Sequence, residues 1–299
     1  MKVSFLYNTG VKSSELFIFV LSCIQALCIG AFLVIFDIGA HVIFFESYGS
    51  EMIPLALVIS GVLGLVYMSF YSFFVNRINF RLFINANYVV ILLTVAALYF
   101  IKALSSISVL GIPLMLPISL MFPINVIIML IFWRTQQNIY TPAQNRRIYP
   151  YVRAFQIGGM ATASFLLLGL FFLKWNYNLM LLAGIGLMAV ILILQTIMNV
   201  AHRFSPTLYH PLKKLNPIRS KLIEFFYSRY TLLLLLFAVL STIVGYLIHY
   251  QFISIARSNY PSLVGLAKFL AFFMVVMLIF GYFIEKSLVR KILYTYDSP

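Results

Sequence analysis

The chain has 299 residues, of which 63% are hydrophobic and 9% charged, and its mean hydropathy is +1.02. A soluble domain carries about a quarter charged residues to cover its surface, so this composition excludes a soluble globular protein and implies a lipid exterior. The formal charge of +14 does not mark a nucleic-acid partner, because the Lys and Arg sit in short loops between long apolar runs.

A helix needs on the order of 20 apolar residues to cross about 30 Å of hydrocarbon. Runs of that kind are expected to cross at Leu16–Phe36, Met52–Asn76, Leu82–Ile101, Ala103–Trp133, Ala154–Leu173, Trp175–Ala201, Tyr230–Ala256 and Ser258–Ile284. The first is too long for the core of a signal peptide and reads as a retained helix. It contains Cys23 and Cys28, whose spacing fits no metal motif, so both are read as packing residues. The fourth run contains Pro113, Pro117 and Pro123, which places the start of its helix near Pro117. Lys268 alone interrupts the eighth. The fold class is therefore all-α, a polytopic membrane protein of about eight transmembrane helices.

Placing the N-terminus in the cytoplasm puts seventeen of the 21 Lys and Arg on the cytoplasmic side. Only Lys102, Lys174 and Arg257 then fall outside, with Lys268 inside the eighth run, and Asp37, Glu46 and Glu51 gather in the first outer loop. Such asymmetry fixes the expected orientation. The longest polar connection, 201–229, carries Arg203, Lys213, Lys214, Arg219 and Lys221. It divides the chain into a six-helix half (1–200), a basic cytoplasmic linker and two further helices (230–299).

An internal repeat supports that division. Ser72-Phe-Phe-Val-Asn76-Arg77-Ile-Asn-Phe-Arg81 follows the second helix, and Gly281-Tyr-Phe-Ile-Glu285-Lys286-Ser-Leu-Val-Arg290 ends the eighth, 209 residues later. Each is an apolar helix end followed by a polar residue, a basic residue, and a second basic residue four positions on. Helices seven and eight are thus expected to repeat helices one and two. Two full six-helix halves would need about twice that offset, so the chain is expected to be a fragment of a twelve-helix protein.

The post-helix-two segment resembles the loop signature of the major facilitator superfamily, with Asn76 in place of the usual Asp and Arg77 retained. Three further stretches resemble the ATP/ADP translocase branch, the nucleotide transporters of intracellular bacteria and plastids and their bacterial relatives. They are Gly49-Ser-Glu-Met-Ile-Pro54, Phe132-Trp133 with Ala143-Gln-Asn-Arg-Arg147-Ile-Tyr-Pro150, and Tyr250-Gln-Phe252. The resemblance implies a carrier working by alternating access in a bacterial inner membrane. It implies a nucleotide or other organic anion as substrate. The chain departs from the branch where Phe36 precedes Asp37 and where Ala56 and Leu57 follow Ile53-Pro54, since the translocases carry lysines there. Phosphates in a low-dielectric cavity need such cations.

The sequence shows no P-loop and no Gly-rich phosphate cradle, so neither enzyme activity nor a cofactor or metal is expected. Polar residues at membrane depth are costly and mark function or packing. The expected cavity residues are Gln25, Gln156, Gln251 and Lys268, with interhelical hydrogen bonding or snorkelling as the plainer alternative. The expected cytoplasmic gate comprises Asn76, Arg77, Arg134, Arg153, Glu285 and Lys286, and positive-inside bias explains its arginines equally simply. Asp37 and His249 are expected near outer helix ends, and the Gly158–Ala163 stretch to let helix five pack closely. The expected partners are the lipid bilayer, a small solute and a protein on the cytoplasmic face. That last partner belongs to the alternative function, a membrane anchor or scaffold module that transports nothing.

Overall fold

In hydrocarbon every backbone N–H and C=O must be paired within the chain, and a chain without strand alternation pairs them as helices. The computed structural model describes residues 15–75, 77–105, 115–173, 177, 179–203 and 229–284. Within them lie α1 (Leu16–Ser47), a short 3₁₀ turn (Ser50–Met52), α2 (Ile53–Phe74), α3 (Phe80–Ser105) and α4 (Leu116–Ile139). There follow α5 (Pro142–Phe172), α6 (Leu179–Arg203), α7 (Arg229–Asn259) and α8 (Leu263–Ile284). All eight helices are long and apolar enough to cross a membrane. The protein is an all-α polytopic membrane protein. The side on which α1 begins is called the near side here, and the opposite side the far side.

α1 and α5 outrun their charge-free stretches furthest. α1 continues past Phe36 to Ser47, because Ile38–Phe45 is apolar apart from His41, free of proline and buried at every position. Asp37 and Glu46 therefore lie in the helix instead of the loop expected for them. α5 begins at Pro142, well before Ala154. Thr141 Oγ1 accepts from the backbone N–H of Gln144 at 3.3 Å while Gln144 Oε1 accepts from the N–H of Thr141 at 2.8 Å. That reciprocal cap, with proline at the first helical position, fixes the start of α5. Gln144 also donates to Glu15 Oε1 at 2.7 Å, tying the α4–α5 turn to the start of α1.

α1 is the central post. Over its most apolar stretch 72% of residues are buried, against none for α7. It packs most extensively on α5, then on α6, α4 and α8. The α1–α5 crossing brings backbone onto backbone. A Cβ on Gly30 would lie 2.0 Å from the Gln156 carbonyl oxygen, and one on Gly159 would lie 2.0 Å from that of Leu27. Only glycine permits this approach, and Gly159 belongs to the small-residue stretch read from the sequence.

The six-helix unit has an internal exchange symmetry. Its principal packings are α1 on α5, α1 on α6, α2 on α4, α3 on α4, α3 on α6 and α1 on α4. Exchanging the first three helices with the second three swaps four of these in pairs and maps the other two, α3 on α6 and α1 on α4, onto themselves. Because α1 and α4 run in opposite directions, the two triplets are inverted with respect to each other.

α7 and α8 join this unit at one end. The larger apolar core draws on α1 to α6 along their lengths, from Ile18 to Ile43 on α1, and includes no described residue of α7 or α8. A far-side core draws on every helix except α3, and includes Ile253 and Ala256 of α7 with Leu266, Ala267, Leu270 and Ala271 of α8. Every α7 residue from Leu232 to Gly245 is exposed, a length of roughly 20 Å at 1.5 Å per residue.

Candidate functional site

Where the far-side core ends, a cavity of about 470 Å³ opens between α1, α4, α5 and α8. α1 contributes Leu33, Val34 and Asp37, and α4 contributes Asn125, Val126 and Met129. Arg153 and Met160 of α5 and Met274 and Leu278 of α8 complete the lining. Several of these are spaced by four residues, as one face of a helix requires: Leu33 and Asp37, Asn125 and Met129, Met274 and Leu278. The α8 pair comes where that helix's burial falls away after Val275.

Three polar groups meet in an otherwise apolar, methionine-rich space. Arg153 Nη1 donates to Gln156 Oε1 at 2.8 Å, and Gln156 Nε2 contacts Met129 Sδ at 2.7 Å. Gln156 is fully buried, so it orients the guanidinium from behind. Asn125 Oδ1 is buried without a hydrogen-bond partner. Asp37 interacts electrostatically with His249 of α7, and no ion pair joins it to Arg153.

The expected residues divide. Gln156 and Arg153 stand together at the cavity. Gln25 is fully buried and donates to Gln195 Oε1 of α6 at 3.0 Å. Gln195 donates to Asn199 at 3.2 Å, and Asn199 to Asn85 of α3 at 3.0 Å. This chain of amides leads into a second, near-side cavity of about 440 Å³ that is lined in part by Asn79, Arg81, Asn85, Asn138 and Asn199. Gln251 is exposed on α7. Lys268 lies outside the cavity lining, its ammonium 4.5 Å from the centre of the Phe172 ring at the far end of α5. Arg77 stacks on Phe73 at 3.8 Å, and Arg134 reaches the Tyr71 hydroxyl at 3.5 Å and faces the Phe80 ring. Asn76, Glu285 and Lys286 lie outside the described residues, as does nearly all of the 201–229 linker.

Asp37, Asn125 and the pair His41–His249 were not singled out as cavity or bridge residues from the sequence. A carboxylate in the middle of an apolar helix was the available signal. It was hidden by ending the first helix at Phe36.

The far side is closed by polar pins. Lys102 of α3 pairs with Glu46 of α1 at 2.6 Å, and Tyr177 donates to the same carboxylate at 3.4 Å. Burial and then the Glu46 charge raise the pKa of Tyr177 above its ordinary value, so the phenol remains a donor. Arg257 of α7 donates to the Phe45 carbonyl at 3.4 Å and to that of Pro261 at 2.8 Å. Among the described residues no group of three or more His, Cys, Asp or Glu could hold a metal ion.

No protein-family model matches the chain, and no curated protein or solved structure matches it.

Proposed function

We propose that the protein is a membrane carrier for a small solute, built on the major facilitator plan and working by alternating access. The observation that carries this reading is the one-ended attachment of α7 and α8. They meet the six-helix unit through the far-side core, and the cavity holding Asp37, Asn125 and Arg153 begins where that core stops. A central site closed toward one face and unpacked toward the other is what a carrier presents in one of its two states. The inverted triplets support the same plan. So does the seating of α8 on α5, the helix that the exchange symmetry equates with α2, of which α8 is the expected repeat.

Lipid bilayer surrounds the eight helices. A bacterial inner membrane with the near side cytoplasmic is the localisation that fits the basic residues. For the substrate, Arg153 is the single cation lining this cavity among the described residues, and a carboxylate shares the space. A nucleotide's phosphates would need several cations, so a solute with one anionic group suits the site better.

The test needs no knowledge of the solute. In a background with Cys23 and Cys28 replaced by serine, Met129→Cys is exposed to a membrane-impermeant maleimide in sealed vesicles of each orientation. Fast labelling from the near side and slower, measurable labelling from the far side is expected. Labelling from one side only, however long the exposure, would leave the anchor or scaffold module as the better reading.

A further inference from the structure

We infer that the cavity between α1, α4, α5 and α8 binds a zwitterion with an apolar body, its anionic group on Arg153 and its cationic group on Asp37. The inference rests on the carrier reading for its purpose, but not for its chemistry. Two opposite charges line one cavity at membrane depth without forming an ion pair with each other. Charges in low dielectric are expensive unless they are matched, and a ligand with both signs matches both at once. A purely anionic solute would leave Asp37 with only His249 to offset its charge and bring a second negative charge near it. A purely cationic one would do the same to Arg153.

The polar groups also divide by role. Gln156 accepts from Nη1 and leaves the other guanidinium N–H groups to meet a carboxylate or phosphate in bidentate fashion. The partnerless Asn125 Oδ1 is an acceptor, suited to a second N–H of an ammonium. Between the charged ends the wall is Leu33, Val34, Val126, Met129 and Met274, with adaptable thioethers that fit apolar bodies of varied shape. About 470 Å³ is in the range of sites for small organic ligands. Soluble amino acids and short peptides have this chemistry, and so does a phosphoethanolamine lipid headgroup.

The experiment measures thermal shifts of the purified full chain in detergent with leucine, dileucine and 6-aminohexanoate, zwitterions of increasing charge separation. 4-Methylvalerate and isoamylamine serve as single-charge analogues. At least one zwitterion is expected to raise Tm and to bind about tenfold or more tightly than either analogue. Asp37→Asn should reduce its affinity to that of the acid, and Arg153→Gln to that of the amine. A parallel arm compares retention of phosphatidylethanolamine and phosphatidylglycerol by native mass spectrometry. Selective retention of the former, with no response to the soluble panel, assigns the same site to a lipid zwitterion. An acid or amine binding as tightly as any zwitterion overturns the inference, as does zwitterion binding that survives both substitutions. Silence in both arms overturns it too. The wild-type panel decides even if a variant fails to fold, and Met129 labelling from both sides stands or falls separately because it uses no ligand.

Discussion

His41 of α1 and His249 of α7 face each other with their Nε2 atoms 3.3 Å apart and their ring centres 5.3 Å apart. His41 Nδ1 lies 2.8 Å from the backbone oxygen of Asp37, one helical turn back. A carbonyl only accepts, so His41 Nδ1 carries its proton. In neutral His41 the Nε2 is then bare, and His249 Nε2–H is the donor between the rings. Phe122 of α4 packs edge-on against His249 and Tyr246 beside the bridge. The pair is a polar bond between α7 and the central post, set beside Ile38 and Val42 of the far-side core and one turn before its Ile253 on α7.

His41→Ala and His249→Ala should each destabilise the protein, with a coupling between them of about 0.5–2 kcal/mol, as for interhelical hydrogen bonds in membranes. Thermal unfolding of both single variants and the double variant in detergent measures it. His249→Gln, which keeps an N–H donor, should recover part of the loss. Strict additivity would show that the two rings are neighbours without being partners.

The α1–α5 crossing makes a sharper prediction. Gly30→Ala and Gly159→Ala each drive a methyl group into a backbone carbonyl, which no side-chain rotation relieves. Each should cost more than about 3 kcal/mol or displace α5. Gly158, next along the same helix, has nothing within 4 Å of its added Cβ. Gly158→Ala should be neutral or stabilise by up to about 1 kcal/mol, because alanine loses less backbone entropy in a helix. Equal responses at Gly158 and Gly159 would contradict the crossing.

Helix number was legible in the sequence because hydrocarbon imposes both length and composition on a spanning segment. Helix ends were not, because a charge-free run marks only the part that must avoid charge. Asp37 and Arg153 sit on helices beyond such runs, so the sequence places Asp37 near an outer helix end and Arg153 in a cytoplasmic gate instead of in one shared cavity. The close packing of Gly159 was readable from small residues at fixed spacing. Which face Gln25 presents was not, since that depends on α6, whose Gln195 is 170 residues away. Lys268 illustrates the same limit: its depth could be counted, but its partner Phe172 comes from another helix.

The amide chain from Gln25 through Gln195 and Asn199 to Asn85 should respond asymmetrically. Gln25 Oε1 is already buried without a partner, so the site carries one unmet acceptor. Gln25→Leu removes that acceptor but strands Gln195 Oε1, and Gln195→Leu strands Gln25 Nε2. An orphaned buried amide costs about 1–3 kcal/mol, whereas replacing both partners by apolar groups is nearly neutral. The double variant should therefore unfold at a higher temperature than either single variant. A double variant worse than both would mean that the chain serves α3 and α6 more than it serves α1.

Orientation is the prediction with the widest consequence. Arg77, Arg81, Arg134, Arg146, Arg147 and Arg229 all belong to near-side helix ends. The described far-side cations are each engaged locally: Lys102 on Glu46, Arg257 on backbone carbonyls, Lys268 over Phe172. Retention of positive charge on the cytoplasmic side should place the near side in the cytoplasm. Asn79 and Asn259 are exposed at opposite sides, and cysteines there, with Cys23 and Cys28 removed, report it. Asn259→Cys should react with an impermeant maleimide on intact cells, and Asn79→Cys only after permeabilisation. The reverse pattern would put the unpacked side of α7 and α8 outside. The cavity holding Asp37 and Arg153 would then be facing outward in this state, and a solute would meet it from the medium first.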